Sequence, residues 1–257
     1  MSYDRKPQVL SLDEIKQMKK SCQLAARTLD HVAPFIKPGI QTIEIDKIVD
    51  DYMRRNGAIP ATINYYGYKW ASCTSINDVI CHGYPDETVL KEGDIVNVDV
   101  TTLLDGFYGD TSRTFFVGQV SDKAKKLTEA AEQAMYKGIE AITPNGYTGD
   151  IGFETGKYVT RSGYAAVKEI GGHGIGKNFH LDPFVPAFGK KGRGEILKPF
   201  TCITVEPMIN ETDSELIEFD IPGSTIKYYK TGDGALSAQF EHTVLITDTG
   251  YEILTHS

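Results

Sequence analysis

Residues 90–99 read LKEGDIVNVD, and residues 197–206 read LKPFTCITVE. Both stretches begin Leu-Lys, both continue into an Ile/Val- or Ile/Thr-rich run that reads as a strand, and both end on an acid, Asp99 and Glu206. The segments before them also correspond. Pro38 matches Pro144, Thr42 matches Thr148, Glu44 matches Asp150, Tyr52 matches Tyr158, Arg55 matches Arg161 and Gly57 matches Gly163. Identities at one offset are weak evidence; a shared order of helix, helix, strand and acid is stronger. It predicts an α+β chain made of two pseudo-symmetric α-α-β-β halves, at about 11–118 and 119–257, packed into one domain. Residues 1–10 read as a loose tail. A site between the halves would draw side chains from both.

The helical readings rest on local signals. Ser11 and Glu14 form a capping box, and Ile15, Met18, Cys22, Ala25, Leu29 and Val32 follow at helical spacing. Pro34 and Pro38 end that run. A second helix starts at Thr42, with acids in its first turn, and stops at Gly57. Residues 94–118 read as a hairpin, two β-rich runs around Asp105-Gly106.

Bulk properties narrow the function classes. The chain has 257 residues, 40% hydrophobic and 24% charged, with a net charge of −8. An acidic balance argues against a nucleic-acid binder. The N-terminus lacks the apolar core of a secretory signal, and no apolar run approaches the ~20 residues that span a bilayer. Cys22, Cys73, Cys81 and Cys202 contain no C-x-x-C pair and read as reduced thiols of a cytoplasmic protein.

The strands carry residues that strands should not want. Asp99 interrupts an Ile/Val run, and Asp110 is read as its opposite number across the hairpin. Glu206 ends one apolar run and Glu241 heads another. Buried carboxylates close together are costly, and a cation between them removes the cost. The stretch GGHGIGKNFH, residues 171–180, adds His173. Its Gly171-to-Lys177 spacing imitates a phosphate-binding loop, but Asn178 stands where that loop needs Ser or Thr. One histidine and four carboxylates form an oxygen-rich set whose charge balances two divalent ions. It suits manganese, iron(II), cobalt or magnesium, with zinc possible too. His82 and His180 are spare histidines beside this set and read as proton donors or substrate contacts. His31, His242 and His256 read as structural.

In combination, five stretches resemble the methionine aminopeptidases of peptidase family M24, closely the bacterial-style type I: INDVICHGYPD, VNVDVTTLLDGFYGDTSRTF, GGHGIGKNFH, TVEPMIN and LSAQFEHT. The resemblance runs from Ser11 to Leu254. It implies the pita-bread fold, with its two α-α-β-β halves about a central antiparallel sheet. It implies two divalent ions (Co, Mn, Fe(II) or Zn), with Asp110 and Glu241 bridging them, Asp99 on one, and His173 and Glu206 on the other. Thr101 would support a metal-bound water, and Glu206 would shuttle the proton. His82 and His180 would contact the substrate near the scissile peptide. Tyr65, Tyr68, Cys73 and Phe179 would line the methionine pocket, with Thr62 in place of a Cys found in bacterial members.

The implied activity is removal of the initiator methionine before a small second residue. The implied partners are N-terminal Met peptides and nascent chains, with the ribosome as a further candidate and a monomer as the expected state. The 34 residues between Glu206 and Glu241 leave no room for the type II insertion, and no zinc-finger extension is read before Ser11. One departure is the missing Trp of the pocket rim, for which Tyr228 or Tyr229 stands as the replacement. Two rivals from other classes are an inactive pita-bread binding protein and a nucleotide-binding loop protein.

Overall fold

The computed structural model describes residues 6–256; residues 1–5 of the expected tail, and residue 257, lie outside the described residues. Helix α1 (Leu12–Val32) opens on the expected box: Ser11 Oγ accepts from Glu14 N–H, and the Glu14 carboxylate accepts from Ser11 N–H at 2.8 Å. The residues read at helical spacing are its buried face. Just before it, Leu10 is buried and its N–H donates to Phe200 O at 2.8 Å. Helix α2 spans Thr42–Arg55, α3 Asp122–Glu140 and α4 Thr148–Arg161.

The correspondence between the halves extends to individual hydrogen bonds. The Glu44 carboxylate accepts from Gln41 N–H at 2.9 Å, and that of Asp150 accepts from Tyr147 N–H at 3.0 Å. Thr42 Oγ1 accepts from Asp86 N–H, and Thr148 Oγ1 from Glu195 N–H. Gln41 forms a bridge with Val89, as Tyr147 does with Ile196. Each unit therefore ties the start of its second helix to the chain leading into its strand.

The hairpin strands Ile95–Leu104 and Phe107–Phe116 turn at Asp105 and Gly106, with φ of 52° and 82°. Two positive φ values define the type I′ turn that suits a two-residue hairpin. This turn fixes the register and corrects one reading. Asp110 pairs with Thr101 and Asp99 with Ser112, so the two acids are diagonal neighbours on one face rather than directly opposite. Cys73–Ile76 pairs on the far side of the 95–104 strand.

In the second half the strand order is Tyr251–Ile253, His242–Ile246, Cys202–Val205, Gly172–Ile175, Leu181–Val185. All strand pairings among the described residues are antiparallel. A Ser112–Glu241 bridge joins the two sheets, with Glu241 N–H donating to Ser112 O at 3.1 Å.

Strand alternation decides what faces where. Val96, Val98 and Val100 pack with residues of α1 and α2, and Ile203, Val205, Val244 and Ile246 with residues of α3 and α4. Each such burial contributes about 1.5–3 kcal/mol. A one-residue slip would turn Asp99 into the helical core, so the valines fix the face on which the acids stand.

One buried acid lies outside that face. Asp46 of α2 accepts from Ser72 N–H at 2.9 Å and from Ser72 Oγ at 2.8 Å, next to Cys73. Burial outweighs these bonds and pushes its pKa up to about 6 from 3.8. A raised carboxylate stabilises the fold most below its unfolded pKa, and that contribution is lost as pH rises through the folded value. Over pH 4–7 the loss is roughly 2 kcal/mol. Asp46→Asn keeps an acceptor oxygen and cannot ionise. Denaturant titrations are expected to show the variant gaining on wild type across this window, and a constant difference would refute the assignment.

Candidate metal centre

The face away from the helices gathers the polar residues. Asp99 and Thr101 come from one hairpin strand, Asp110 and Ser112 from the other. The Ser112–Glu241 bridge adds Glu241. His242 pairs with Val205 and Thr243 with Thr204, and one further step in this register sets Glu206 beside Glu241. His173 enters from the neighbouring strand, where its N–H donates to Thr204 Oγ1 at 2.9 Å. The flanking glycines are required by contact. A Cβ at Gly172 would lie 2.2 Å from Thr204 O, and one at Gly174 would lie 2.0 Å from Asp182 O.

His173 Nδ1 lies 3.0 Å from the Gly174 carbonyl, which can only accept. Nδ1 therefore carries a proton, and Nε2 faces Asp110 Oδ2 and Glu206 Oε1, each at 3.6 Å. Ligand atoms of Asp110, His173 and Glu241 all lie within 4.8 Å of one another. Few protein donors offset so much negative charge. Thr101 Oγ1 donates to Asp110 Oδ1 at 2.7 Å, Thr204 Oγ1 to Glu206 Oε1 at 2.8 Å, and Gln239 Nε2 to Glu206 Oε2 at 3.2 Å. Glu241 Oε1 is buried with no hydrogen-bond partner.

The electrostatics follow. Burial pushes Asp99, Glu206 and Glu241 upward, and the charge of Asp110 adds to each shift. For His173 burial acts downward, but the bond to Asp110 and the charge of Glu206 outweigh it and raise its pKa. A cluster of buried carboxylates with an orphaned oxygen and an imidazole aimed among them fits divalent cations. Nothing in it fits a phosphate.

These residues form one end of a cavity of about 360 Å³. Its walls include Tyr65, Tyr68, Cys73, Phe179, Thr62, His82 and His180, so the four acids and the histidine of the cluster and these seven residues read from the sequence face the same space. Tyr65 OH lies 2.7 Å from His180 Nδ1, and the His180 ring is 4.1 Å from that of His173. His82 Nδ1 lies 3.1 Å from Lys227 O, and burial lowers its pKa.

The rim differs from expectation. Tyr228 stacks on Phe219 at 5.1 Å and meets Tyr84 edge-on, while Tyr229 pairs with Cys81. Neither lines the cavity; Ile226 does. Thr204, Gln239 and Thr243 escaped the sequence reading. The missed signal is alternation carried just past the strand ends: each stands two positions from an acid, Glu206 or Glu241. The phosphate-loop rival fails on topology, since residues 176–180 lead into the strand Leu181–Val185 rather than a helix.

Comparison with known proteins agrees with this geometry. Residues 16–248 match the model of metallopeptidase family M24. The chain belongs to metallopeptidase family M24. It is 47% identical to methionine aminopeptidase A of Synechocystis sp., over 96% of each chain. It is 40% identical to methionine aminopeptidase of Escherichia coli K12, over 95% of this chain and 91% of that one. The crystal structure of methionine aminopeptidase from Rickettsia prowazekii superposes with a TM-score of 0.94 at 41% identity, covering 97% of this chain and 100% of that one. The fold is thus the pita-bread fold of M24. No described helix is long and apolar enough to cross a membrane.

Proposed function

We propose that this M24 enzyme is a type I methionine aminopeptidase, hydrolysing the bond after an N-terminal methionine when the second residue is small. The observation that carries the reading is a buried carboxylate cluster at one end of a cavity walled by Tyr65, Tyr68, Cys73 and Phe179. Aromatic rings and a thiol suit a flexible thioether side chain. Carboxylates at that end attract an α-ammonium group, which confines cleavage to the chain's first residue.

Asp110 and Glu241 would bridge two divalent ions, with Asp99 on one and His173 and Glu206 on the other. Cobalt, manganese, iron(II) or zinc would serve. Such ions supply Lewis acidity and lower the pKa of water. The protein's own groups do the rest. Glu206, whose pKa burial raises, is suited to take a proton and return it to the departing amine. His82 donates from Nδ1 to the Lys227 carbonyl and so offers Nε2 as an acceptor for a substrate N–H. Tyr65 fixes the His180 ring, which offers Nε2 toward the substrate carbonyl. The binding-only alternative gives these mutually repelling buried acids no purpose.

The reading makes the protein a cytoplasmic monomer acting on nascent chains, with the ribosome as the place of encounter. Its four buried free cysteines are in keeping with a reducing compartment. The test compares Met-Ala-Ser with Met-Lys-Ser and Leu-Ala-Ser, with metal content measured in the same sample. Only Met-Ala-Ser is expected to turn over, and only while metal is present. Comparable kcat/KM on the leucine peptide, or full activity after verified metal removal, would sink the reading.

A further inference from the structure

Tyr65 is held from a point that no reacting group touches. It sits between two non-glycine residues in left-handed backbone, Asn64 (φ 67°) and Tyr66 (φ 47°, ψ 34°). Such a segment keeps its shape only when its surroundings impose it. Here a turn from the other half of the chain does so. The Tyr66 carbonyl accepts from Ser224 Oγ at 2.9 Å and from Thr225 N–H at 3.0 Å. Ser224 Oγ accepts in turn from Ile226 N–H at 3.0 Å, so one hydroxyl joins the Tyr66 backbone to Ile226, which lines the cavity. The backbones are in direct contact, since a Cβ on Gly67 would lie 2.4 Å from Gly223 O. On the inner side, the Tyr65 ring packs on Phe179 at 4.9 Å and its hydroxyl reaches His180.

We infer that Ser224 is a positioning residue: by fastening the left-handed Tyr66 it aims the Tyr65 hydroxyl, and through it the His180 imidazole, without meeting the substrate. The inference rests on the reading of Tyr65 and His180 as substrate contacts. Thr225 contributes only a backbone N–H, which any residue but proline supplies. Ser224 contributes a side chain that both donates and accepts, so it is the removable part of the fastening.

The test uses the metal-loaded full chain with Ser224→Ala, Ser224→Thr, Tyr65→Phe and the Ala/Phe double variant. Ser224→Ala is expected to lower kcat on Met-Ala-Ser about tenfold, short of the ~10²-fold that a 1 Å misplacement costs, with metal content unchanged. Ser224→Thr keeps the hydroxyl and should recover most of the loss. The double variant should be no slower than Tyr65→Phe alone, because Ser224 acts through that hydroxyl. Hydrogen exchange supplies an arm independent of activity. Tyr68 N–H donates to Tyr65 O at 2.9 Å, within the fastened loop, and should exchange faster in Ser224→Ala. Losses that multiply in the double variant, or unchanged exchange at Tyr68, would overturn the inference. A metal-loaded wild type that leaves Met-Ala-Ser uncut would instead overturn the reading of the cavity, and Tyr68 exchange would still decide the fastening.

Discussion

Asp110→Asn is expected to abolish both metal retention and turnover. Asp110 stands at the centre of the cluster, within ligand reach of His173 and Glu241, and its charge raises the pKa of Asp99, Glu206 and Glu241. A neutral amide is a poor bridge and upsets the charge balance. The loss of activity should exceed the 10–100-fold typical of changes to residues that merely support a ligand. Stability supplies the second readout. Metal at about 100 times its dissociation constant stabilises wild type by about 2.7 kcal/mol, and the variant should show none of this. The metal-free variant should be the more stable of the two apo proteins, because one of four crowded carboxylates has lost its charge. Relief equal to one pKa unit is about 1.4 kcal/mol. Wild-type metal content in the variant would remove Asp110 from the ligand set.

Replacing His82 should separate chemistry from metal binding. His82 faces the cavity with Nδ1 occupied by Lys227 O and is not among the five proposed ligands. His82→Ala should therefore keep its metal and lose turnover by roughly 10²–10⁴-fold, in kcat and kcat/KM alike. The backbone here has φ 56°, which Asn tolerates better than Ala. His82→Asn thus controls for backbone strain and should show the same kinetic loss with a smaller drop in melting temperature. If His82 only packs, both variants would lower the melting temperature and leave the kcat of the folded fraction near wild type.

What the sequence could disclose was whatever short-range rules control. The Ser11–Glu14 box, the Asp105-Gly106 turn and the valines of 96, 98 and 100 each follow from neighbours a few positions away. The acids were legible because a carboxylate inside a run of Ile and Val contradicts its surroundings. Contacts between distant segments were not legible. Thr42 marks a helix start, but its hydroxyl serves Asp86, 44 residues on. Asp110 was placed two positions from its true partner because the count across a hairpin depends on where pairing stops at the turn. The rim was misassigned to Tyr228 or Tyr229 for a similar reason. The strand Lys227–Thr231 shifts register against Val79–Cys81 between Tyr229 and Lys230, and a shift of one residue changes which side chain faces inward.

The bridge between Ser112 and Glu241 has a consequence for when the enzyme becomes an enzyme. Two of the five proposed ligands belong to the first half and three to the second, and the hydrogen bond from Thr111 to the Glu241 carbonyl spans 130 residues. Contacts closed over such a distance form late, because the loop entropy must be met before they contribute anything. A molecule with only its first half folded has two acids and no site. Secreted proteases are commonly kept silent until a propeptide is cut away. On the proposed ligand set, completion of folding would play that part, and an unfinished copy would have nothing with which to trim its neighbours.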